Sequence, residues 1–183
     1  MKTADGSFHQ CYNAQASVDA THQVIVAAEL TNQAADARHL PGMVDQVSDN
    51  TGRQAGRTLA DAGYFSADNV DHAVRAGTDP HIATGRLKHH ETIPDTPRGR
   101  IPNDATPKQR MARKTRTKKG KAVYARRKAI VEPVFGQMKT TQNAGRIRRR
   151  GLTAATAEWK AHCAVHNFLK LFRINGLVPA LAP

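Results

Sequence analysis

The chain has 183 residues, 39% of them hydrophobic and 23% charged, which suits a globular domain with its own core and excludes a disordered polyelectrolyte. No apolar run approaches the length of a bilayer span, and "MKTADGSFHQ" lacks the apolar stretch of a secretory leader. Net charge is +13, and residues 101–150 hold 16 of the 28 Lys and Arg against only Asp104 and Glu132, so the surplus sits in that window.

From the N-terminus, "CYNAQASVDA" (11–20) and "HQVIVAAELT" (22–31) are β-prone and joined by a short polar link, which predicts a hairpin. Residues 34–52 read as a helix that Pro41–Gly42 should kink or break. "RTLADAGY" (57–64) begins as a strand and ends in a glycine turn. Ser66 then caps a helix that closes at Gly77. "PHIATG" (80–85) is a further strand, so the order is β-β-α-β-α-β, and one mixed α/β sheet is expected.

Between Arg86 and about Gly120 the pattern is lost. Prolines at 94, 97, 102 and 107 alternate with basic residues and predict an extended, mobile basic insertion. Helical patterning returns over 121–141, and again in "TAATAEWKAHCAVHNFLKLFRING", where Trp159, Cys163 and Phe168 are expected on one broad face and Asn175–Gly176 as the stop. The expectation is a single α/β domain over 1–183, with the insertion at 86–120 and C-terminal helices at 121–176. Cys11 and Cys163 are far apart and in no metal-ligand spacing, as expected of reduced thiols in a cytosolic protein.

A basic block beside a near-neutral half points to a polyanion, most often nucleic acid, and a solvated tail or a ribosome-type binding segment shares that composition. Glu132 is the only acid between Asp104 and Glu158. On a helix Tyr124, Lys128, Glu132 and Lys139 fall within an arc of about 80°. A pair between Glu132 and Lys128 is worth only a few tenths of a kcal/mol. A metal ligand is the functional alternative, because Mg²⁺ takes carboxylate and water oxygens together with substrate phosphates. Asp61 is a second candidate, at the expected C-terminal end of a strand, where α/β ligands collect. The plain alternative there is an aspartate that caps its own turn. Asp61 and Glu132 together would make half of a two-metal site.

The stretches "YNAQASVDATHQVIVAAELTNQAADARHL", "LADAGYFSADNV", "RRKAIVEPVFGQMK" and "RRRGLTAATAEWKAHCAVHNFLKLF" resemble, in this order and over about Ser7–Phe172, the DDE-type transposases of bacterial insertion sequences. The resemblance implies a ribonuclease-H-like mixed sheet flanked by helices. It also implies two Mg²⁺ or Mn²⁺ ions held by two Asp and one Glu, used to cut and join DNA at the ends of the element. Asp61 in "DAGY" and Glu132 in "VEPVFG" match two of the three acids. Tyr124, Arg127, Glu132 and Lys139 match the Tyr–Arg–Glu–Lys signature, with one residue more between Arg127 and Glu132 than in its commonest form, so either the helix register tolerates the extra residue or Lys128 shares the arginine's role. Tyr124, Arg127, Lys128 and Lys139 are then expected at the DNA, and "RIRRRG" adds Arg146, Arg148, Arg149 and Arg150 as phosphate contacts.

The first aspartate of the trio should lie on a strand ahead of the hairpin, and Met1 falls just before "DGSFHQCYNAQ". The sheet is therefore expected to lack its first strand, as in a truncated copy that is either a protein whose start is assigned too late or an inactive remnant. Asp19 is a stand-in metal ligand or simply a turn aspartate, and Asp5 lies close to a free end. Adjacent His89, His90 and Glu91 offer no zinc spacing. The resemblance further implies a cytoplasmic, nucleoid-associated bacterial protein that forms a homodimer around paired DNA ends and uses no membrane. A non-catalytic nucleic-acid-binding protein using residues 108–150 is the other function class.

Overall fold

A computed structural model describes residues 6–7, 11–85 and 96–174. The chain divides into two compact units, one holding residues up to Ala34 together with those from Ile130 onward, the other Ala35–Ala129. Asp5, His89, His90, Glu91 and the Asn175–Gly176 stop lie outside the described residues.

In the first unit β1 (Asn13–Val18) and β2 (Ile25–Thr31) form the expected antiparallel hairpin, with Gln15 opposite Glu29 and a register shift at Ser17/Val18. Its partners are the second half of α4 (Lys118–Gln142) and all of α5 (Leu152–Ile174). Ala155, Trp159, Cys163 and His166 recur every three or four residues along α5 and are its buried residues. They join Ile25, Leu30, Val134 and Met138 in one core, with Phe135 stacked on Trp159 at 5.9 Å. Phe168, expected on this face, is instead 64% exposed. Nine residues beyond Trp159 is about 900° of rotation, half a turn away from the core. Burial pushes the Cys163 thiol up to about 12, so it behaves as a small core hydrophobe.

The second unit begins with a 3-10 turn (Asp36–His39) leading into α1 (Leu40–Thr51). Pro41 does not kink this helix. It lies in the first turn, where its missing N–H leaves no bond unmade. Gly52 ends the helix in the left-handed region (φ 69°), its N–H donating to the Ser48 carbonyl. β3 (Arg57–Ala60) pairs in parallel with β4 (Asp79–Ile82), and α2 (Ala67–Arg75) makes the connection, capped by the Ser66 hydroxyl on the Asn69 N–H. Leu40, Val44, Ala60 and Ile82 form the core here.

Two further expectations are corrected. The four described strands make two separate two-stranded ladders, β1–β2 and β3–β4, rather than one mixed sheet. The stretch expected to be extended contains a helix, α3 (Pro107–Arg116). Thr106 and Gln109 form a reciprocal capping box and Pro107 occupies the first turn, so this proline starts a helix instead of marking a loop. Basic residues in this region also do structural work. Arg110 donates to the Pro102, Asn103 and Ala105 carbonyls, Arg113 to those of Arg98 and Gly99, and Lys114 to Asp79 and the Pro80 carbonyl.

The α3–α4 junction is tight. The Thr117 hydroxyl donates to the Lys114 carbonyl and accepts from the Gly120 N–H, and a Cβ at Gly120 would lie 1.8 Å from that same carbonyl oxygen. Gly120→Ala is therefore expected to lower the thermal midpoint by several degrees, equivalent to about 1–3 kcal/mol of overpacking, as scanning calorimetry would show. An unchanged midpoint would mean that the junction relaxes freely.

Candidate functional site

In the second unit Asp61 follows the last residue of β3, and its backbone turns into a 3-10 turn, Ala62–Tyr64. Its Oδ1 accepts the Gly63 N–H at 3.0 Å, so the turn-capping role weighed from sequence is real. It occupies one oxygen only. A Cβ at Gly63 would lie 2.7 Å from Asp36 Oδ2 and 3.2 Å from Asp61 Oδ1, so two carboxylates close over the one residue that carries no side chain. Asp36 was not legible as a site residue, because 25 positions separate it from Asp61 and no local pattern links them. Asn69 holds the region together by donating to the Ala37 and Tyr64 carbonyls, each at 2.7 Å.

Tyr124 and Arg127, on the first half of α4, belong to the same unit. The Arg127 guanidinium sits over the Tyr124 ring, 5.9 Å from its centroid. Burial holds the Tyr124 phenol above its ordinary value; Arg127 opposes the shift and the Asp61 carboxylate adds to it. The phenol therefore keeps its proton at neutral pH and can donate. Arg127 Nε is buried and has no hydrogen-bond partner among the described residues. Lys128 is exposed on the same helix.

In the first unit Glu132 and Lys139 are exposed on the second half of α4, whose buried residues are Val134 and Met138. Glu132 makes no ion pair among the described residues, so local neutralisation of a lysine is not its occupation. Asp19 is the turn aspartate of the hairpin: its Oδ2 accepts from the Thr21 and His22 N–H groups at 3.0 and 2.7 Å. Arg146, Arg148, Arg149 and Arg150 are all exposed in the loop between α4 and α5. Glu158 accepts from the Arg148 and Arg149 N–H groups, and these bonds, ahead of its proximity to His162 and the Arg149 charge, hold its carboxyl below the usual range. "HN" in α5 acquires a role that no sequence pattern announced. Asn167 bonds both the N–H and the carbonyl of Ile25, each at 2.7 Å, and His166 Nε2 meets the Gln23 carbonyl at 2.9 Å.

The donors near Asp61 are carboxylate oxygens, the chemistry a hard divalent ion takes. Among the described residues no group of three or more His, Cys, Asp or Glu side chains converges on a metal position. No helix among them is long and apolar enough to cross a membrane.

A strand-end carboxylate in the second unit, and exposed cations on α4 and in the loop after it, are features that an α/β protein acting on a polyanion would carry. The family model for the transposase DDE domain matches residues 2–168, and the chain belongs to that family. No curated protein and no solved structure matches it. Membership makes DNA transposition the general activity, DNA the general partner and divalent metal ions the usual cofactor.

Proposed function

We propose that the protein cleaves DNA at insertion-sequence ends and transfers the freed strands, with Asp61 and Glu132 as ligands to Mg²⁺ or Mn²⁺ in a ribonuclease-H-like catalytic domain. The observation that carries this reading is that one compact unit holds both Asp61, at the end of β3, and the Tyr124–Arg127 pair on α4, with the guanidinium 5.9 Å from the ring centroid. When bound, the ions would activate an oxygen nucleophile and stabilise the leaving oxygen. The chain's own residues supply the rest. Tyr124, protonated, donates to a phosphate oxygen. Arg127, half-buried against Tyr124, gives a planar set of donors that matches a phosphodiester. Lys128 and Lys139 add charge on exposed parts of α4, and the arginines at 146–150 extend the cationic edge.

The test separates cutting from binding. With DNA carrying the element's ends and Mg²⁺ or Mn²⁺, Asp61→Ala and Glu132→Ala should each lower the cutting rate more than about 100-fold, beyond what losing an outer-shell partner costs. DNA affinity in gel shifts should hold or rise, since each change removes a negative charge. The unspecialised composition of the basic half keeps a second reading open, non-catalytic binding through residues 108–150. It predicts no metal-dependent cutting by any variant, and binding that depends only on the arginines and falls steeply with salt.

A further inference from the structure

The loop after α4 starts at Asn143 and ends at Gly151, both with left-handed backbone (φ 53° and 83°), and carries four exposed arginines between them. A lone glutamate beside such a run would ordinarily neutralise a guanidinium. Glu158 does not: its only ion-pair partner among the described residues is His162, 4.0 Å away. Both of its carboxylate oxygens go to backbone instead. The Arg148 N–H donates to Oε1 and Oε2 at 3.0 Å each, and the Arg149 N–H donates to Oε2 at 2.8 Å.

We propose that Glu158 is a positioning residue for DNA binding, holding the backbone of Arg148 and Arg149 so that the guanidiniums of residues 148–150 stand as a fixed cationic edge for duplex phosphates. The inference rests on the reading of these arginines as DNA contacts given above. The anchor sits on a rigid element, since the next residue, Trp159, is 2% exposed in the core. A second tie lies one turn further on, where His162 Nδ1 meets the Gln142 side chain at 3.1 Å and so links α5 to the end of α4. A cleft of about 650 Å³ runs beside the loop, lined by Gln142, Asn143, Arg148, Arg149, Glu158 and His162. A carboxylate that accepts amide protons orders the loop before DNA arrives, so binding does not have to order it.

The sign of the effect distinguishes positioning from charge. Removing a negative charge from a cationic surface should by itself tighten DNA binding. If Glu158 positions the loop, Glu158→Ala should instead weaken binding by about tenfold, a loss of preorganisation. Glu158→Gln, which keeps an acceptor oxygen and loses the charge, should restore affinity to within about threefold of the wild type or better. Glu158→Asp keeps the charge, withdraws the carboxylate by one methylene and should weaken binding; it also serves if the alanine variant does not fold. Trypsin should nick the Ala and Asp variants faster at residues 148–150, with melting of the remaining structure unchanged. Wild-type or tighter binding by Glu158→Ala, or by Glu158→Asp where the alanine variant is unfolded, would overturn the proposal. The triple variant Arg148→Ala/Arg149→Ala/Arg150→Ala isolates the underlying reading. Unchanged affinity and an unchanged salt slope there would mean that these arginines are not DNA contacts, and the proposal would fall with them. A reduced slope in the triple variant alongside normal binding by Glu158→Ala would sink the positioning role alone.

Discussion

Trp159→Ala should remove a large share of the hairpin unit's stability. The indole is 2% exposed, stacks on Phe135 at 5.9 Å and donates from Nε1 to the Gln15 carbonyl at 3.2 Å. Truncating a buried aromatic costs about 3–5 kcal/mol, against a total stability of about 5–15 kcal/mol for a whole domain. Gln15 is itself 2% exposed, so its carbonyl would lose the indole's hydrogen bond where water does not easily replace it. Trp159→Phe separates the two contributions: it keeps a ring against Phe135 and loses only the hydrogen bond and some volume, so it should cost less than half as much. Urea denaturation followed by far-ultraviolet circular dichroism suits both variants, because Trp159 is the sole tryptophan and fluorescence is lost with it. A midpoint within error of the wild type would mean that this core is not what holds α5 to the hairpin.

The second large effect is expected at Asn167. Its amide bonds both polar groups of Ile25, much as a neighbouring strand would, with Oδ1 accepting the N–H and Nδ2 donating to the carbonyl, each at 2.7 Å. Gln23 beside it takes the left-handed region (φ 57°), and His166 bonds its carbonyl while Lys170 donates to its side-chain oxygen at 2.9 Å. Ile25 is 6% exposed, so Asn167→Ala strands a donor and an acceptor at about 1–3 kcal/mol apiece. Asn167→Asp should be no better, since it puts a carboxylate against a carbonyl oxygen. Amide exchange at Ile25 reads the effect directly: protection should drop in both variants. Retained protection would show that the hairpin holds this residue without α5.

The order of elements was legible because it is written in local pattern: alternation in the hairpin, Ser66 before its helix, Gly52 and Gly77 after theirs. Strand pairing was not, since nothing local says that β3 joins β4 and not the hairpin. Prolines misled twice in the same way. Pro41 and Pro107 occupy first turns, where the missing N–H is harmless, and only the Thr106–Gln109 box signalled the second of these helices. Of the candidate residues, Asp61 stood out through its place at the end of a strand, and Glu132 as an isolated acid among cations. Asp36 and Glu158 did not, because their meaning comes from contacts with Gly63 and with the backbone of a separate loop. His166 and Asn167 lie inside a stretch that carries the family resemblance, and the contacts they make are structural.

The most direct measurement is iron-directed cleavage of the polypeptide. With Fe²⁺ in place of Mg²⁺, plus ascorbate and peroxide, hydroxyl radicals formed at a bound ion cut the backbone next to its ligands. The account predicts cuts near Asp61 and near Glu132, suppressed by excess Mg²⁺ or Mn²⁺ and lost at both places in Asp61→Ala and in Glu132→Ala. Cuts elsewhere, or cuts at these positions that ignore competing Mg²⁺ and both substitutions, would contradict it.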